Sequence, residues 1–136
     1  MGRLLALDYG QKRTGVAVTD ELQIIASGLT TVNTHDIFEY LKNYVKTEQV
    51  DTIILGEPKR LDGSATHNTG PVIKFKQKLE ALFPSIPVKL VDERFTSKMA
   101  FQTMIDSGLK KKQRQNKALV DEISATIILQ SYMSSL

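Results

Sequence analysis

A chain of 136 residues, 41% hydrophobic and 24% charged, is long enough for one domain with a real core and has the make-up of a soluble globular protein. It has no cysteine, which excludes disulfides and thiolate metal sites, and no apolar run near the roughly 20 residues that span a bilayer. The net charge of +3 and pI near 9.1 are only mildly basic, but Lys110, Lys111, Lys112, Arg114 and Lys117 crowd into eight positions. Such a run is either a solvated loop or a contact for a phosphate backbone.

Taken in chain order, Arg3 to Tyr9 reads as a strand, with no signal-peptide pattern before it, so a cytoplasmic protein is expected. The apolar run Leu4 to Leu7 ends on an acid, Asp8. Burying a carboxylate without a partner costs several kcal/mol, so this one requires a cation or a donor. Gln11, Lys12 and Arg13 form a polar turn, and Thr14 to Thr19 is the second strand. Ile24 to Val32 reads as a third strand, broken at Gly28. Thr34 is placed to cap a helix running to about Thr47, with Ile37, Phe38, Leu41, Tyr44 and Val45 at helical spacing. Thr52 to Leu55 is fully apolar, as in a buried parallel strand. After the polar segment from Gly56 to Gly70, Pro71 suits the first position of a helix to about Phe83. Val88 to Val91 is the fifth strand, Thr96 caps a helix that Gly108 ends, and a last helix covers Lys117 to about Met133.

The order β-β-β-α-β-α-β-α-α predicts an α/β fold with one five-stranded mixed sheet, a hairpin meander followed by right-handed crossovers, and helices on both faces. Ligands of such sheets collect beyond the carboxyl ends of the parallel strands. Asp8, Glu57 and the Asp92-Glu93 pair all fall there. The last helix adds Asp121, on one stripe with Ala118, Ala125 and Ile128. The alanines allow close approach to the sheet, which points Asp121 inward. Glu122 is expected to be solvated. His35 and His67 are read as exposed. Asp8, one or more of Glu57, Asp92 and Glu93, and Asp121 therefore form a candidate all-oxygen cluster, which selects hard cations, Mg²⁺ or Mn²⁺. Two such ions serve in-line phosphodiester displacement without a protein nucleophile. Tyr9, Phe95 and Phe101 are the aromatic residues near these elements. They make no evident base-stacking platform, so recognition by shape and phosphate is expected.

The segments LDYGQKRTGVAVTD, GEPKRLDGS, VDERFTS and KALVDEISATIIL resemble, in order and over nearly the whole chain, the motifs of the YqgF/RuvX family. The resemblance implies residues 1–136 as a single nuclease domain of the ribonuclease H-like fold found in RuvC-type Holliday junction resolvases. It also implies Asp8, Glu93 and Asp121 as the catalytic, metal-binding acids, holding two Mg²⁺ or Mn²⁺ ions. The family frequently has leucine at Glu57, while RuvC has its second acid after the equivalent strand, so Glu57 stands as a fourth ligand or a substitute for Glu93, with Glu93 preferred. Arg94 completes the family's D-E-R motif and would orient Asp92 or Glu93, or meet phosphate. Lys12 and Arg13 in the glycine-flanked first turn, Lys59 and Arg60 in the long loop, Arg94, and the run Lys110, Lys111, Lys112, Arg114 and Lys117 are the candidate nucleic-acid contacts. The expected function is metal-dependent cleavage of structured nucleic acid, at the 5′ end of pre-16S rRNA in ribosome biogenesis. The alternatives are resolution of branched DNA and a binding module without turnover. A phosphotransferase is set aside, since the chain has neither a second domain nor a P-loop. A monomer is preferred over a homodimer.

Overall fold

The first strand of the chain is the middle strand of the sheet. In the computed structural model, which describes residues 2–57, 69–92 and 116–136, β1 (Arg3–Tyr9) lies between β2 (Arg13–Thr19), which runs antiparallel to it, and β4 (Val50–Glu57), which runs parallel. β3 (Ala26–Asn33) pairs antiparallel with β2, and β5 (Val88–Asp92) pairs parallel with β4. The order is β3-β2-β1-β4-β5, the five-stranded mixed sheet that the sequence predicts. Leu4 to Leu7 are buried without alternation because β1 is covered on both sides.

The pleat divides the core in two. Leu5, Leu7, Val16, Ile53 and Leu55 meet Ile37 and Leu41 of α1 (Ile37–Thr47) and Val72, Phe75 and Leu79 of α2 (Thr69–Leu82). Leu4, Ala6, Ala17 and Ile54 meet Ala125, Ile128 and Leu129 of α3 (Lys117–Ser134). On that second side the sheet is built from small residues. Ala6 and Ala17 are cross-strand partners, and Gly15 is the partner of Asp8. A Cβ on Gly15 would overlap the carbonyl oxygen of Asp121, so the backbone of α3 rests directly on the strand. Asn116 caps α3, accepting from the N–H groups of Ala118 (3.1 Å) and Leu119 (3.3 Å). The Thr31 hydroxyl donates to the Ala118 carbonyl at 2.6 Å and ties the start of α3 to β3.

Several sequence expectations are corrected. Thr34 caps no helix. It opens a short 3₁₀ turn, Thr34–Asp36, ahead of α1, and its hydroxyl donates to the Gly10 carbonyl at 2.5 Å. That assignment makes the Thr14 hydroxyl the donor in the 2.9 Å contact between the two threonines. Gly28 does not break β3. The strand runs through it, and the register slips where Val16 faces Thr30 but Ala17 faces Gly28, leaving Leu29 as a bulge. β3 starts at Ala26 rather than Ile24, because the Asp20 carboxylate gathers the N–H groups of Ile24 and Ile25 (2.8 Å each) and Leu22 (3.1 Å) into the preceding turn. In that turn Gln23 takes a left-handed conformation, φ 59°. Pro71 is the third residue of α2, still within the first turn, where an N–H has no intrahelical partner to lose. Glu122 is not solvated but half-buried, its side chain lying over Gly28. The helix expected between 96 and 107 lies outside the described residues.

Substitutions at the two glycines under α3 should differ in cost. Gly15→Ala forces backbone against backbone and is expected to cost about 1–3 kcal/mol or more in denaturant unfolding. Gly28→Ala, which displaces only the Glu122 side chain, is expected to cost less. A second expectation concerns pH. The N–H of Ile25, with those of Ile24 and Leu22, holds the Asp20 carboxyl below its ordinary value. Its contribution is therefore complete above about pH 4, the unfolded value, and is lost as pH falls through the lower folded value. Asp20→Asn should lower the melting temperature at neutral pH, and the gap from wild type should narrow as pH falls below about 4. An unchanged gap would remove the carboxylate charge as its origin.

Candidate functional site

The carboxyl end of β1 gathers most of the polar side chains that the sequence singles out and the structure describes. Strand alternation sends Tyr9 to the side of α1 and α2, with Leu5 and Leu7, and gives Asp8 the phase of Leu4 and Ala6, toward α3. Gly15, opposite Asp8, has no side chain to hold α3 away, so Asp121 comes to rest over the cross-strand neighbour of Asp8. Arg13, two residues before Gly15 on β2, shares that face. Its Nε donates to Asp121 Oδ2 at 2.9 Å. The pair is partly exposed, with Arg13 at 36% and Asp121 at 24%, so it adds at most about 1 kcal/mol to stability. Its larger effect is orientation, since it directs the Asp121 carboxylate toward the hairpin end.

That end is fixed from the other side by Thr34. Its N–H donates to the Lys12 carbonyl at 3.0 Å while its hydroxyl holds Gly10. Gly10 is itself required for closure of the turn, because a Cβ there would lie 2.6 Å from the Arg13 carbonyl oxygen. Lys12 is exposed in the turn, and Lys117 is exposed in the first turn of α3.

The acids at the ends of β4 and β5 stand differently. Glu57 and Asp92 are register partners, and each has the phase of a residue on the α1 and α2 side, Leu55 and Leu90 respectively. The sheet thus brings Asp8 and Asp121 to one face and gives Glu57 the phase of the other. Among the described residues no group of three acids or histidines forms a metal-binding cluster. Glu93, Lys59, Arg60, Arg94, Lys110, Lys111, Lys112, Arg114 and His67 lie outside the described residues. His35 is exposed, as expected, with Asp36 at 3.4 Å.

Two features escape the sequence reading. One is the Arg13–Asp121 contact, which joins residues 108 positions apart. The other is a groove of about 510 Å³ on the α1 and α2 side, where Phe38 and Phe75 join Tyr9. The signal for the first was present in the alternating small residues Gly15 and Ala17, which mark the strand face on which a helix backbone can settle.

The family model described as "RuvX: Holliday junction resolvase" matches residues 2–135. A protein of Flavobacterium johnsoniae named "Putative pre-16S rRNA nuclease" is 58% identical over 135 residues, covering 99% of this chain and 98% of its own length. One of the same name from Flavobacterium psychrophilum is 60% identical over 134 residues, covering 98% of each. Among solved structures, Thermus thermophilus RuvC in complex with a Holliday junction substrate superposes with a TM-score of 0.59 at 16% identity, covering 98% of this chain and 96% of that one. That likeness is one of fold, and the fold is ribonuclease H-like. On the match along nearly its entire length, this chain belongs to the RuvX family.

Proposed function

We propose that the chain is a metal-dependent nuclease that hydrolyses phosphodiester bonds in structured nucleic acid, and that its substrate is the 5′ end of pre-16S rRNA in the cytoplasm. The observation that carries this reading is the seating of α3 on Gly15, which puts Asp121 on the same face and at the same strand end as Asp8. The names of the relatives support the RNA substrate. The family description and the RuvC-like fold favour a second reading, cleavage of a four-way DNA junction.

Asp8, Glu93 and Asp121 would hold Mg²⁺ or Mn²⁺. The donors are all carboxylate oxygens, which suits a hard divalent ion, and Asp121 already binds a cationic group, the Arg13 guanidinium. Of the two acids left open by the sequence, Glu93 is kept on the family resemblance, and Glu57 is set aside because it has the phase of Leu55, on the α1 and α2 side and away from Asp8 and Asp121. When bound, a pair of such ions supplies activation of water and stabilisation of the leaving oxygen. The remaining work belongs to the chain. Arg13 orients Asp121, Thr34 and Gly10 fix the turn, and Lys12 and Lys117 offer exposed ammonium groups for flanking phosphates. Lys59, Arg60, Arg94, Lys110, Lys111, Lys112 and Arg114 are proposed to extend that basic surface. The chain acts in this reading as a single nuclease domain and as a monomer.

The decisive experiment is a parallel cleavage assay on a precursor rRNA 5′ leader and a four-way DNA junction, each with Mg²⁺ and with Mn²⁺. Asp8→Asn is expected to lower cleavage by at least about a hundredfold, since even removing a group that only supports a metal ligand costs roughly 10–100-fold. Its melting temperature should stay near that of wild type. Wild-type cleavage by a rigorously repurified Asp8→Asn protein would overturn the site. Chelation should abolish activity on the true substrate, and restored Mg²⁺ or Mn²⁺ should recover it.

A further inference from the structure

On the face of the sheet away from Asp8, a groove of about 510 Å³ opens between the end of β1, the start of α1 and the side of α2 that carries Pro71, Lys74 and Lys78. That volume lies within the roughly 300–1,000 Å³ of pockets that hold ligand-sized groups. Its floor is Phe75, 4% exposed, stacked on Tyr9 with ring centroids 4.6 Å apart and tilted against Phe38 at 5.2 Å. Tyr9 and Phe38 are half-buried, so each keeps part of a ring toward the opening. Lys74 and Lys78, one helical turn apart on α2, stand exposed on the rim. The ion pair of α2 is formed by Lys76 and Glu80 instead, and neither Lys74 nor Lys78 has an acidic partner among the described residues. The first turn of α2 contains no acid. Rings at the base of a groove with ammonium groups along its edge match the alternation of base and phosphate along a single strand.

We infer that this groove binds a single-stranded segment of nucleic acid, with a base against Tyr9 and Phe38 and the adjoining phosphates on Lys74 and Lys78. The inference deepens the nuclease reading and rests on it for the identity of the strand as substrate. Asp8 and Tyr9 are consecutive residues of β1 with opposite phases, so a strand crossing the carboxyl edge of the sheet can serve both sides. Recognition then includes stacking as well as shape and charge.

The test measures fluorescence anisotropy of a labelled, unstructured RNA of about 12 nucleotides, and of the matching DNA, across a salt series. All variants are made in the Asp8→Asn background, so that binding is scored without cleavage. Lys74→Ala with Lys78→Ala should weaken binding several-fold and flatten the log–log salt slope by about 1.4, or about 0.7 for each phosphate no longer neutralised. Lys42→Ala with Lys46→Ala, which removes two exposed lysines from α1 outside the groove, should change neither by more than a minor fraction. Phe38→Leu keeps apolar bulk but removes the ring face. It should weaken single-strand binding roughly fivefold or more at an unchanged salt slope. Equal effects from the two lysine pairs, or unchanged binding in both Phe38→Leu and the Lys74/Lys78 double variant, would overturn the inference. Failure of the nuclease reading is seen separately, as wild-type cleavage by Asp8→Asn alone.

Discussion

The arrangement at the strand end depends on one place where a side chain is missing. Gly15 lets the backbone of α3 come to van der Waals distance of β2, closer than any other residue would permit. Everything polar on that face follows from this approach. Asp121 arrives over the neighbour of Asp8, and Arg13 finds a carboxylate within hydrogen-bond reach. Ala6, Ala17 and Ala125 extend the same low surface along the core, so the helix lies flat instead of rocking on a single point. A dense apolar contact here does the positioning of the polar groups on this face, and the charged residues add direction rather than much stability.

The pleat of the sheet then separates two kinds of surface. Toward α3 stand Asp8 and Asp121, acceptors suited to cations. Toward α1 and α2 stand the rings of Tyr9, Phe38 and Phe75 with lysines beside them, suited to bases and phosphates. The two surfaces meet at the carboxyl ends of β1 and β4, the edge at which ligands of such sheets collect. Thr34 braces this edge by binding the hairpin turn at Gly10 and Lys12.

Much of this was legible in the sequence. The apolar run Leu4 to Leu7 marked a strand, and β1 spans the residues the pattern selected. Of the alanines on the stripe of the last helix, Ala125 is buried against the sheet as expected, whereas Ala118 is exposed and Asp121 is half-buried beside Arg13. What failed did so for local reasons. Thr34 has the composition of a helix cap, but its hydroxyl has a better partner in a turn 24 residues earlier, which no window of sequence can register. Gly28 looks like a break, yet it serves as the seat of the Glu122 side chain, a contact decided only when α3 docks. Glu57 follows an apolar strand just as Asp8 does, and its different face emerges only from register, since a shift of one residue exchanges the two sides of a sheet.

The separation of 108 positions between Arg13 and Asp121 has a consequence for the order of assembly. The hairpin that presents Asp8 is local and can form early, whereas its acidic companion belongs to the last helix of the fold and joins by one of the longest loop closures available. A chain still emerging during synthesis therefore owns half of a carboxylate pair and none of its geometry. The juxtaposition of Asp8 and Asp121 is complete only once α3 has settled on Gly15, and a chain that stops short of α3 lacks it.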